Sequence, residues 1–172
     1  MRIYVQFNKK EINLNYRELA EKMWFKTYQE EPLELSHTGN SETLQENYRL
    51  GLKWDKGLND ERWQSKKTLW KYEDISVNPI RNNSILYFET RHIYLLSVDK
   101  RALYIMVIAF AKEVEGLISE DATKTWETVE EFENKHYDLL NLSFEKSNEI
   151  SLVEADTLEM IEEPWDNEVE YT

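Results

Sequence analysis

Residues 2–7 alternate between apolar and polar positions, with Ile3, Val5 and Phe7 on one side and Arg2, Tyr4 and Gln6 on the other. A period of two predicts a half-buried strand. Asn13 or Asn15 can cap a helix running to about residue 28, because Tyr16, Leu19, Ala20 and Met23 recur at helical spacing. Pro32 then stops it. Residues 33–45 are polar and predict a loop. Tyr48, Leu50, Leu52 and Trp54 alternate strictly with Arg49, Gly51 and Lys53 and predict an amphipathic strand. A turn over 55–60 and a second strand over 67–72, with Trp70 and Tyr72 on one face, would complete an antiparallel hairpin.

Asn78 with Pro79, and Asn82 with Asn83, predict a further turn. Residues 84–88 are apolar on both faces, as in a central strand. Residues 92–96 fit a strand or a helix. Ser97 or Asp99 begins a long helix to about residue 115, apolar nearly all round through Leu103, Ile105, Met106, Val107, Ile108 and Phe110. Burying six such side chains is worth about 9–18 kcal/mol gross, before entropy, so this helix must be central. Gly116 sits where a left-handed C-terminal cap belongs. Residues 117–119 read as a short strand. Thr128 with Glu131 matches the capping box of another helix carrying Phe132. These elements predict an α+β fold: a mostly antiparallel sheet packed against a long buried helix, about 98–115, and one or two further helices.

The 172 residues suffice for one domain with a core, expected over 1–144. The remaining 145–172 hold ten acidic residues and one lysine. Ile150, Leu152, Val153, Leu158, Met160, Ile161 and Trp165 are scattered among them, so this segment is expected to be partly docked or disordered. Charge divides the chain. Residues 1–108 carry 17 basic and 15 acidic side chains, and residues 109–172 carry 4 and 19. An acidic field of this kind repels nucleic acid and anionic membranes and steers basic partners, within a screening length of roughly 8 Å. There is no cysteine, which excludes disulfides, thiolate metal sites and a cysteine nucleophile. A reducing cytoplasm is the expected location. The first residues meet charge too early for a signal peptide. The longest apolar run, 102–111, falls well short of the roughly 20 residues of a membrane span.

Candidate chemistry is sparse. His37, His92 and His136 form no metal-binding spacing, and each reads as a surface or satisfied structural residue. Glu120 and Asp121 follow the strand 117–119, where carboxylates can gather around a cation, but no further ligands are evident. No phosphate-cradling loop or nucleophile elbow occurs, and no cofactor is expected. Ser97 and Lys100 have the spacing of a serine–lysine motif without its companions, which a helix start explains better. The hairpin aromatics lie among Arg49, Lys53, Arg62, Lys66, Lys67 and Lys71, a mixture able to stack on nucleic acid. Strict alternation instead turns Tyr48, Trp54, Trp70 and Tyr72 into the core, so direct nucleic-acid binding is not expected.

The strand 84–88, the long helix, the run Glu115, Gly116, Leu117, Ile118, Ser119, Glu120, Asp121 and the helix start Trp126, Glu127, Thr128, Val129, Glu130, Glu131, Phe132 resemble small bacterial α+β immunity proteins of polymorphic and contact-dependent toxin systems. The likeness covers about 50 residues and carries no diagnostic site. It implies a non-enzymatic cytoplasmic protein that binds and neutralises a toxin. With the one-sided charge, the expected partner is a basic protein, met by Glu120, Asp121, Glu127, Glu130 and Glu131, with Trp126 and Trp165 as buried anchors. A phage anti-defence inhibitor or nucleic-acid mimic is one alternative. An enzyme with a noncontiguous carboxylate site is another, which would require convergent, pKa-perturbed carboxylates.

Overall fold

The computed structural model describes residues 1–8, 11–24, 35–80, 84–159 and 161. Six strands are described: β1 (Arg2–Gln6), β2 (Leu35–Thr38), β3 (Leu50–Asp55), β4 (Tyr72–Ile80), β5 (Ile85–Thr90) and β6 (Leu117–Ser119). They form one sheet in the order β2-β3-β4-β5-β1-β6, with every neighbouring pair antiparallel. The helices are α1 (Tyr16–Trp24), α2 (Ser41–Asn47), the single turn α3 (Lys56–Asn59), α4 (Ser97–Glu113), α5 (Val129–Lys135), the single turn α6 (Tyr137–Leu140) and α7 (Phe144–Thr157). This is an α+β architecture.

Alternation divides the sheet into two faces. Ile3, Val5, Leu50, Leu52, Trp54, Ile75, Val77, Leu86, Phe88 and Ile118 are buried in the core. Arg2, Tyr4, Lys53, Asp74, Tyr87 and Glu89 alternate with them and belong to the other face. Helix α4 packs on β1, β5 and β6, and α1 and α7 pack in turn on α4. Its Phe110 meets Phe88 edge-on at 5.2 Å between ring centroids, and its Tyr104 meets Phe132 at 5.1 Å. The all-round apolar pattern thus corresponds to a helix enclosed by sheet and helices.

Several expectations change. The polar stretch 33–45 holds the edge strand β2 and most of α2, started by the Asn40 side chain accepting from the Thr43 amide at 2.9 Å. Tyr48 does not begin the alternating strand. It is the left-handed C-cap of α2, with φ 56°. The second hairpin strand starts at Tyr72, not 67, because residues 68–71 form a 3-10 turn. Trp70 is buried, but Tyr72 lies opposite Asp55 and beneath the Lys53 ammonium at 4.0 Å, away from the core face. Asn78 and Pro79 stay within β4 rather than turning. Pairing with β3 stops at Val77, so beyond it that side of β4 is an edge, where a residue lacking an N–H is tolerated. The turn expected at Asn82 and Asn83, and the reach of the first helix beyond residue 24, lie outside the described residues.

The end of α4 shows why spacing alone mislocated a cap. The left-handed residue is Glu115, with φ 53°, and the Gly116 amide donates to the Ala111 carbonyl at 2.8 Å, closing a Schellman turn. Gly116 is required by crowding instead. A Cβ there would lie 2.5 Å from the Gln6 carbonyl oxygen and 2.9 Å from Val5 Cγ1. Gly116→Ala is therefore expected to cost about 1–3 kcal/mol, through separation of β1 from the start of β6. A urea unfolding midpoint equal to wild type would contradict that packing.

Candidate functional site

The acidic residues after β6 fold back on their own chain. Asp121 accepts from Ser119 Oγ at 2.8 Å, the Lys124 and Thr125 amides at 3.1 and 2.9 Å, and Thr125 Oγ1 at 2.7 Å. These bonds, those from Thr125 foremost, hold its carboxyl well below the usual range. They also close a loop in which Ala122 and Thr123 are left-handed, with φ 58° and 69°. Glu120 meets Lys135 at 2.6 Å and His136 Nε2 at 3.0 Å, and accepts from Tyr104 Oη at 3.3 Å. Burial pushes the Glu120 carboxyl up, but Lys135 and His136 outweigh it and leave it lowered. Burial, then the Glu120 charge, pushes the Tyr104 phenol up.

Glu127 pairs with the same lysine at 3.1 Å. Glu131 completes the capping box, accepting from the Thr128 amide at 2.7 Å while its own amide donates to Thr128 Oγ1 at 3.2 Å. Four of the five carboxylates expected at a partner surface therefore have structural work. Glu130 is exposed and Trp126 is half-buried, while Trp165 lies outside the described residues. Near Glu130 in sequence, Asp138 and Tyr137 are also exposed, the tyrosine by 60%.

A second cluster lies inside the core. Lys56 Nζ stands 2.8 Å from Asp99 Oδ2, with both side chains buried. The ammonium also lies 5.5 Å and 5.6 Å from the rings of Trp54 and Trp63. Glu73 Oε2 meets His92 Nδ1 at 2.6 Å, and its Oε1 accepts from the Arg91 and Asp74 amides at 2.7 and 3.2 Å. Trp70 packs on His92 at 5.5 Å. Burial, reinforced by the Glu73 charge and opposed by Lys56 and the Trp24 indole, pushes Asp99 up to about 6.

Local sequence brings these groups together. Asp55 ends β3 and caps α3 by accepting from the Gly57 amide at 3.0 Å, which turns Lys56 inward. Glu73 shares the β4 face of Ile75 and Val77. Asp99 occupies the first turn of α4, where the helix dipole favours a carboxylate. Beyond their ion pair, Lys56 Nζ and Asp99 Oδ1 have no hydrogen-bond partner among the described residues, and neither has His92 Nε2.

Sequence reasoning passed over Lys56 and Glu73, read His92 only as a surface or satisfied structural residue, and read Asp99 only as a possible helix start. The one available signal was Glu73 in phase with Ile75 and Val77, and it was lost by ending the strand at residue 72. Chemically, Glu73 orients the imidazole and leaves Nε2 uncommitted, but the whole cluster is walled by tryptophans. Among the described residues, no three His, Asp or Glu side chains could hold a metal ion, and no helix is long and apolar enough to cross a membrane. The chain matches no protein-family model, no curated protein and no solved structure.

Proposed function

We propose that this chain binds and neutralises a basic protein partner in the cytoplasm, in the manner of an immunity protein, through the helical side formed by α5 and α6. The observation that carries the reading is the exposure of Glu130 on α5 and of Tyr137 and Asp138 on α6, within residues 109–172, which hold 19 acidic and 4 basic residues. Unlike those of Glu120, Asp121, Glu127 and Glu131, the carboxylates of Glu130 and Asp138 take part in no hydrogen bond or ion pair among the described residues. Their charge is available to a partner. Long-range attraction would raise the association rate, and Tyr137 would supply the anchor that slows release.

The immobilised chain is expected to retain a basic protein from a lysate of its source organism at low salt and to release it as salt rises. Glu130→Lys with Asp138→Lys and Tyr137→Ala should weaken that retention at least tenfold. Retention unchanged by the triple substitution overturns the proposed face.

A further inference from the structure

We propose that α7 is a detachable strap, latched by Glu154 onto the start of α4, whose release opens the buried ionic cluster without unfolding the sheet. The contacts beneath α7 are unlike those beneath α4. Its fully buried residues are Ser147, Asn148, Ser151 and Ala155, with Phe144, Leu152 and Leu158 only partly buried beside them. Hydrogen bonds make up much of the attachment. Glu154 accepts from the Ser97 amide and from Ser97 Oγ, each at 2.7 Å, and Ser151 Oγ accepts from the Val98 amide at 2.8 Å. Asn148 accepts from the Trp63 indole at 2.9 Å and donates to Asp60 at 2.8 Å. Lys66 reaches Asp156 at 2.7 Å.

Leu96, the N-cap residue of α4, offers no side-chain cap, so α7 supplies the acceptors for the first two amides of that helix. All these groups can exchange their partners for water, whereas an apolar helix face cannot, so detachment is a low-lying opening. The joint before α7 stays fixed, because Arg101 Nε donates to the Leu142 carbonyl at 2.9 Å. Detachment uncovers the amides of Ser97 and Val98, next to Asp99, and frees Trp63, whose ring covers Lys56. The strap thus controls solvent access to the ion pair.

Amide hydrogen exchange under native conditions tests this on the whole chain. In wild type, the amides of α7 and those of Ser97 and Val98 should exchange together, through an opening less dependent on denaturant than that of the central α4 amides. Glu154→Gln, which loses two charge-assisted bonds, should speed exchange of that group roughly tenfold or more and leave the central α4 and β5 amides unchanged. Exchange of α7 only by the global route in wild type overturns the strap. So does a Glu154→Gln effect spread equally over α4 and β5.

Discussion

Asp99→Ala should destabilise the protein by about 3–5 kcal/mol, because it leaves the Lys56 ammonium in the core with no carboxylate beside it. The reverse deletion, Lys56→Ala, strands Asp99 in the same way. Replacing both at once is different. Lys56→Met with Asp99→Leu removes two desolvated charges together, and the stability should return to within about 2 kcal/mol of wild type, or exceed it. Chemical denaturation of the three variants forms the cycle that measures this. Near-equal losses in the two single variants and a large further loss in the double would show that the pair is not what matters there.

The same pair carries a pH signature. Burial pushes the folded-state carboxyl of Asp99 up to about 6, above the 3.8 ordinary for an aspartate. A raised acid favours the folded state once protonated. Its contribution is therefore fully present below about pH 4 and is lost as pH rises through about 6. Wild type should gain stability relative to the Lys56→Met, Asp99→Leu variant as pH falls from 7 to 5. Asp60, Glu120, Asp121 and Glu131 are shifted downward, and their stabilisation is lost only at lower pH, so this window belongs to groups such as Asp99.

What the sequence made legible follows from how strongly each element depends on its own residues. Strand β1, helix α4, strand β6 and the Thr128 capping box were readable because alternation, an all-round apolar run and a local hydrogen-bond motif each act over a few positions. Strand β2 was not, since an edge strand with its side chains mostly exposed has no apolar period to display. Helix α2 was hidden for a similar reason: its cap is Asn40, but only Leu44 within it is buried. The acidity of the C-terminal part was plain in the sequence. Which acids stand free was not, because the engagement of Glu120 with Lys135, His136 and Tyr104 depends on how α4, β6 and α5 meet. Lys56, Glu73, His92 and Asp99 are separated by up to 43 positions and share no motif, so only the fold brings them together.

Glu73 should be nearly as costly to remove as Asp99. Its carboxylate serves His92 Nδ1 and the amides of Arg91 and Asp74, so Glu73→Ala orphans up to three donors around a buried site. At about 1–3 kcal/mol for each unsatisfied buried group, and less for the part-buried amides, a total near 3–5 kcal/mol is expected. Glu73→Gln should cost about 1–2 kcal/mol. Its carbonyl can still accept from the Arg91 amide, while its amide group can donate to His92 Nδ1 if the imidazole moves its proton to Nε2. That tautomer change is visible in the nitrogen shifts of the His92 ring. A Gln variant as unstable as the Ala variant, with the ring proton still on Nδ1, would mean that the negative charge rather than the acceptor geometry holds the cluster together.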